Sequence, residues 1–388
     1  MNLPDFPRLA ALQVRLLDQA RRAWASAVLL FAFFWIVASA GFSGGIQKHG
    51  MPDGARGGGI EVMLDASAKK PYVYRQFSPQ LANFLDRTLP SSLKEAISAA
   101  AAPERTFART VSVTKPEFRF RYICVYYISF LALFASLFAL RRILLDYGLG
   151  KGIAMAVPAI FVLAFPYLQT GGGYYYDQVE LCFLALAYLA ALRGRLVPLA
   201  IVSMIATLNK EAFFFFVPAL FPLLFERVGR KRALLGCATA ILASGLVNAA
   251  MKLLFFDAPG AAAEFKLFRN ILNYLNPLTY LQFENTYGIA GPAGVFAGTL
   301  LVAAIVALRG WGVSPLAVRR HMLLAACLNL PLFLAFCATG ELRNLSLLFV
   351  GFVVLGAHAL RDWLRAQCGA PPAVQPAAPD PLLARQRH

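Results

Sequence analysis

Uninterrupted apolar runs about one bilayer thick set the first constraint on this chain. Trp24–Phe42 and Tyr122–Leu140 contain no charged residue, and Ala233–Phe256 contains only Lys252. A helix needs about 20 apolar residues to cross hydrocarbon roughly 30 Å thick. Such a run must satisfy its own backbone hydrogen bonds, because lipid offers none. Of the 388 residues, 59% are apolar and 15% charged, against about 45–50% and about 25% in soluble domains. The mean hydropathy is +0.60. Surface outgrows core in a chain of this size, so an ordinary cytosolic enzyme is excluded and lipid is the solvent for most of the molecule. The fold expected is an all-α, polytopic transmembrane helix bundle of about nine or ten membrane segments.

A net charge of +17 raises a nucleic-acid partner, but Arg and Lys sit in short clusters beside the apolar runs, as at Arg21/Arg22 and Arg141/Arg142. Membrane proteins use basic residues in this way, so no nucleic acid is expected. The cysteines Cys124, Cys182, Cys237, Cys327, Cys337 and Cys368 are scattered and share no metal-ligand spacing, which argues against a disulfide framework.

Residues 1–22 read as a polar interfacial lead-in on the cytoplasmic side, without a cleavable signal. Residues 23–366 form the bundle, and 367–388, rich in Pro and Ala, read as a disordered cytoplasmic tail. Ser43–Arg121 is a long polar first loop. Within it Leu81, Phe84, Leu85 and Leu89 fall at helical spacing over a stretch too short to span. An amphipathic helix on the membrane surface is expected there, and a second over Ser91–Ala102. Further spans are expected at Ile153–Leu168, Gln178–Leu192, Gly291–Leu308, Met322–Ala338 and Leu345–Leu360. Asp257–Ala290 is a second large loop.

The segment Leu196–Phe225 is apolar except for Asn209-Lys210-Glu211 at its centre. Its roughly 30 residues extend about 45 Å as helix, short of the roughly 60 Å that two crossings need. It is expected to form a half-depth helical hairpin with Lys210 and Glu211 at the apex. With the N-terminus in the cytoplasm, the basic clusters from Arg21 to Arg365 then all lie inside. The first loop, the Gly171–Asp177 turn with Glu180, the apex, the 257–290 loop and Gly340–Asn344 all lie outside. Ionisable groups at membrane depth cost on the order of a few kcal/mol each and usually face a protein-lined cavity. A single outward chamber lined with carboxylates and cations is therefore expected. His49, in the first loop, reads as a solvated residue.

A short first span, a large first outer loop with surface helices, many spans and outward carboxylates resemble the GT-C class of integral-membrane glycosyltransferases. More narrowly, Pro71-Tyr72-Val73-Tyr74-Arg75 with Pro79, Tyr176-Asp177, Asn209-Lys210-Glu211 and Glu341-Leu342-Arg343 resemble small bacterial members of that superfamily. The similarity covers most of residues 20–360 in layout and about 20 residues in motif. It implies sugar transfer from a polyprenyl-phosphate donor to a glycan, lipid or protein acceptor at the outer face of a bacterial inner membrane. The class usually places its catalytic base in the first outer loop, where Asp53, Glu61 and Asp65 compete. Asp65 is favoured because it lies nearest Tyr72 and Arg75. No adjacent acidic pair occurs in that loop, a departure from the class pattern.

The substrate-binding set so implied is Tyr72, Arg75, Tyr176, Asp177, Asn209, Lys210, Glu211, Glu341 and Arg343. Arg75, Lys210 and Arg343 hold the lipid phosphate, while Asp177 and Glu211 bind sugar hydroxyls or orient the cations. A divalent metal is compatible with this chemistry but not required, and no metal ligands are assigned. Membrane lipid and the lipid-linked sugar are the expected partners. Two other classes stay open: a transporter or flippase for a lipid-linked saccharide, since broken helices with midplane charges are also transporter features, and a non-catalytic membrane assembly partner.

Overall fold

The computed structural model describes residues 6–51, 57–107 and 115–368, with residues 6–23 described by their backbone alone. Among these residues the chain is an all-α bundle. The first helix, α1 (Phe6–His49), is followed in the first loop by α2 (Ile60–Leu64), α3 (Phe77–Thr88) and α4 (Ser91–Ala100). Three helices then run back and forth, α5 (Arg119–Asp146), α6 (Lys151–Leu168) and α7 (Tyr175–Leu192). Next come α8 (Leu196–Asn209), the short α9 (Phe216–Ala219) and α10 (Phe221–Leu254). The chain closes with α11 (Leu267–Leu275), α12 (Ala297–Val313), α13 (Leu316–Phe336) and α14 (Phe349–Gln367).

Among the described residues six helical stretches are long and apolar enough to cross a membrane: Trp24–His49, Pro116–Asp146, Lys151–Leu168, Phe221–Leu254, Leu316–Phe336 and Leu342–Gln367. They mark the chain as a multi-pass membrane protein. The other expected segments correspond to α7, α8 and α12. Asp177 and Glu180 lower the hydropathy of α7, and α8 and α12 are shorter apolar helices. α5 packs on α6 and α7, α1 on α5 and α6, α8 on α10, and α12 on α14. Phe34, Tyr122, Leu137, Leu140, Tyr188 and Phe216 are among the large side chains sealed at the centre.

Several boundaries differ from the sequence expectation. Ser43–His49 remains helical, so the first loop begins at Gly50 rather than Ser43. Gly44 and Gly45 within that helix are sites of close approach. A Cβ on Gly44 would lie 2.5 Å from the Tyr287 ring, and one on Gly45 would lie 2.7 Å from Gln169 Oε1. α12 starts at Ala297 because Ile289–Pro292 pairs antiparallel with Phe283–Thr286 as a two-stranded hairpin, turning through Tyr287-Gly288. α14 is preceded by a 3-10 stretch over Leu342–Leu348. The tail beyond 368 lies outside the described residues.

Leu196–Phe225 doubles back. α8 stops at Asn209, and Lys210 is extended (φ −154°, ψ 120°). A 3-10 turn over Glu211–Phe215 and α9 then lead into α10, which breaks at Gly229 (φ 77°). The two ends of the excursion meet: a Cβ on Gly194 would lie 2.6 Å from Val228 Cγ1. α3 exposes Leu81 and Phe84, and α4 contributes no buried residue, as outward-lying amphipathic helices do.

The α12–α14 crossing depends on Gly310, where a Cβ would lie 2.5 Å from the Leu355 carbonyl oxygen. Gly310→Val is expected to force the helices apart at a cost of about 1–3 kcal/mol and to lower the thermal unfolding midpoint in detergent. Gly245→Ala, whose added Cβ meets nothing within 4 Å, is expected to leave the midpoint unchanged or raise it.

Candidate functional site

At one end of the bundle, side chains from the first loop, the start of α7, the hairpin apex and the start of the last segment form one buried network of charge. Extended backbone explains how the apex serves two partners. Successive side chains of an extended segment point to opposite sides, so Lys210 and Glu211 turn away from one another. Lys210 Nζ donates to Glu180 Oε2 at 2.8 Å and to Asn344 Oδ1 at 3.1 Å. Glu211 instead takes a two-pronged contact from Arg75, Nε to Oε2 at 3.2 Å and Nη2 to Oε1 at 3.0 Å.

Arg75 follows a 3-10 turn over Tyr72–Tyr74, in a loop tied down by the Lys70 N–H donating to the Pro259 carbonyl at 2.8 Å. It also donates to the Tyr176 hydroxyl, and its guanidinium lies 4.5 Å from the Tyr176 ring and 5.3 Å from the Tyr72 ring. Burial alone would loosen the Arg75 proton. The Glu211 carboxylate and neighbouring tyrosines outweigh it and hold the guanidinium well above its ordinary range, so Arg75 stays charged.

Asp177 is the third helical residue of α7, with Tyr174 as the N-cap. One oxygen accepts the Tyr174 N–H at 2.9 Å, where an anion suits the helix dipole. The other accepts from Arg343 Nη1 at 3.3 Å. Arg343 Nη2 donates to Glu341 Oε1 at 3.3 Å, and its Nε has no hydrogen-bond partner among the described residues. Glu341 Oε2 in turn accepts from the Ala338 N–H and the Asn344 amide. Asn209 donates to the Tyr176 carbonyl at 3.0 Å and leaves its own Oδ1 without a partner among the described residues. Tyr174 and Tyr176 stack with centroids 5.0 Å apart, the Tyr72 and Tyr174 hydroxyls lie 3.0 Å apart, and Arg343 sits 4.8 Å from the Tyr174 ring.

All nine residues of the expected binding set thus fall in or against this network. The first-loop carboxylates are placed differently. Asp65 caps the C-terminus of α2, is 44% exposed, and pairs with Arg121 at 3.7 Å. Glu61 is buried on α2, beside Met63, whose sulfur accepts the Tyr175 hydroxyl proton. Asp53 lies outside the described residues. Among those residues no group of three or more His, Cys, Asp and Glu side chains is arranged to hold a metal ion.

His49 is the residue that sequence reasoning missed. It lies on the last turn of α1, with its Nε2 on the Gln169 carbonyl. It lines a cavity of about 180 Å³ together with Gly50, Gly58, Ile60, Gly173, Tyr174 and Tyr175. The available signal was helical spacing, since the half-buried His49 follows the buried Phe42 and Ile46 by seven and three residues. The other residue not singled out is Ser346, whose hydroxyl donates to Glu180 Oε1 at 2.7 Å. Comparison with protein-family models, with curated proteins and with solved structures finds no match.

Lys210 and Glu180 are almost fully buried, so stranding either charge is costly. Lys210→Met is expected to lose about 3–5 kcal/mol, read from unfolding in detergent. Adding Glu180→Gln should recover most of it, giving a coupling well above the scatter of independent sites. Additive losses would show that the pair does not act as a unit.

Proposed function

We propose that this chain is a membrane glycosyltransferase that moves a sugar from a polyprenyl-phosphate donor to an acceptor hydroxyl, with the charge network facing away from the cytosol. The observation that carries this reading is the cavity walled by His49 and Tyr174, because the same Tyr174 ring is stacked into the network of Arg75, Tyr176 and Arg343. Polar groups and aromatic faces converge there at the end of an apolar bundle, as a polyol headed by a hydrocarbon tail requires.

The charge count refines the roles. Three cations, Arg75, Lys210 and Arg343, stand against four carboxylates, Asp177, Glu180, Glu211 and Glu341. A site with this balance favours sugar hydroxyls, which both donate and accept, over a bare polyanion. Arg343, with its unused Nε–H, reaches the donor phosphate, and Arg75 and Lys210 hold the carboxylates in position. The acceptor oxygen attacks the anomeric carbon, the bond from that carbon to the phosphate oxygen breaks, and the lipid phosphate leaves with the electron pair. The acceptor proton passes to a base. His49 suits this role, because with Nε2–H donating to the Gln169 carbonyl, Nδ1 is the acceptor. Asp65, held by Arg121 on the outer flank of α2, is less suited.

The test is transfer by purified protein in detergent from a panel of polyprenyl-phosphate sugars, which also separates this reading from transport, since transport needs a sealed bilayer. Transfer is expected for the wild type. His49→Gln should lower kcat about 10²–10⁴-fold, while Asp65→Asn keeps most of it. Transfer lost in Asp65→Asn but kept in His49→Gln would return the base to the first loop. Saccharide movement across proteoliposomes without transfer would favour the flippase reading, which the broken α8–α10 hairpin also accommodates.

A further inference from the structure

The end of the bundle opposite the charge network carries a second built feature. There α5 ends at Asp146, α7 turns into α8 through Arg193-Gly194-Arg195, and the returning leg of the hairpin brings down Arg227. Four guanidinium side chains, those of Arg142, Arg193, Arg195 and Arg227, surround a cavity of about 440 Å³ with Asp146 as the only carboxylate among its lining residues.

Ion pairs and hydrogen bonds hold the scaffold. Arg193 makes a two-pronged contact with Asp146, Nε to Oδ2 at 2.7 Å and Nη2 to Oδ1 at 3.3 Å. Arg142 Nε reaches the same carboxylate at 3.0 Å. The Tyr147 and Tyr188 hydroxyls, 2.8 Å apart, tie the end of α5 to the end of α7. Gly194 has a φ of 65°, and a Cβ there would lie 3.1 Å from Arg227 Cγ, so the turn packs directly on the Arg227 stem. Arg195 and Arg227 are exposed, and neither has an ion pair among the described residues.

We infer that this basin binds a phosphate group. One carboxylate cannot neutralise four guanidinium ions, and planar forks converging from three elements match phosphate oxygens better than point charges do. The position, at the end of apolar spans, offers two sources: the headgroup phosphate of an anionic phospholipid, or a free phosphate or diphosphate from solution. A basic pocket between membrane helices suits the former.

The experiment uses the full-length protein. In one arm it is reconstituted in bilayers of phosphatidylcholine alone or with phosphatidylglycerol, and retained phosphatidylglycerol is counted by native mass spectrometry. In the other arm, binding of inorganic phosphate and pyrophosphate is measured in detergent. Arg195→Ala/Arg227→Ala spares the Asp146 scaffold. It is expected to weaken binding about tenfold or more, the effect of losing at least one charge-assisted hydrogen bond. Arg361→Ala/Arg365→Ala removes two arginines of α14, which do not line the cavity, and is expected to leave binding unchanged.

Loss in the lipid arm alone identifies a headgroup site, and loss in the solution arm identifies a soluble phosphate site. Equal loss in both double variants would overturn the inference, since general surface charge would then account for the attraction. Binding of neither probe by the wild type would overturn it as well.

Discussion

A charge removed from water must find its counter-charge within the protein, and the upper end of this bundle is organised around that demand. Coulomb attraction strengthens as the local dielectric falls, and so does the penalty for any ion left alone. Arg75, Lys210 and Arg343 each meet a carboxylate from a distant part of the chain. These contacts stitch the first loop to the hairpin apex, the apex to α7, and α7 to the last segment. Helices in lipid gain little from hydrophobic contact with one another. Charge pairing and close glycine crossings, as at Gly310, therefore set their mutual positions.

The apolar spans were legible because hydrocarbon thickness and helix rise leave few choices for Trp24–Phe42 or Tyr122–Leu140, while the helices that contain them run on to His49 and Asp146. That these charged residues would share one buried cluster was legible for a related reason. Lys210, Glu211, Asp177 and Arg343 stand out because lipid makes such residues rare. The partners were not legible. That Lys210 turns to Glu180 and Glu211 to Arg75 depends on one extended residue at the apex and on long-range packing. His49 was hidden because the loop was expected from Ser43, whereas the helix continues through Gly44 and Gly45, small residues under Tyr287 and Gln169. The strand pair at 283–292 was hidden because four-residue strands with a Tyr-Gly turn carry almost no periodic signal.

The two ends of the molecule solve opposite problems with the same residue type. In the upper network, arginines are matched by a slight excess of carboxylate and are sealed from solvent. In the lower basin they outnumber their single carboxylate and remain accessible. The first arrangement fixes shape. The second keeps positive potential available at the rim. The hairpin links them, since its apex enters the network while its base brings Arg227 to the basin.

Tyr174 has a consequence of its own. Its ring is at once a wall of the His49 cavity, a stacking surface for Tyr176 and a seat for the Arg343 cation, and its hydroxyl touches that of Tyr72. Tilting that plate would disturb the Arg343 guanidinium seated on it and the Tyr176 ring stacked on it, which in turn carries Arg75. In the transfer reaction proposed above, the arrival of one reactant would thus be felt mechanically where the other is held, and two-substrate order would arise from a single aromatic side chain with no moving domain.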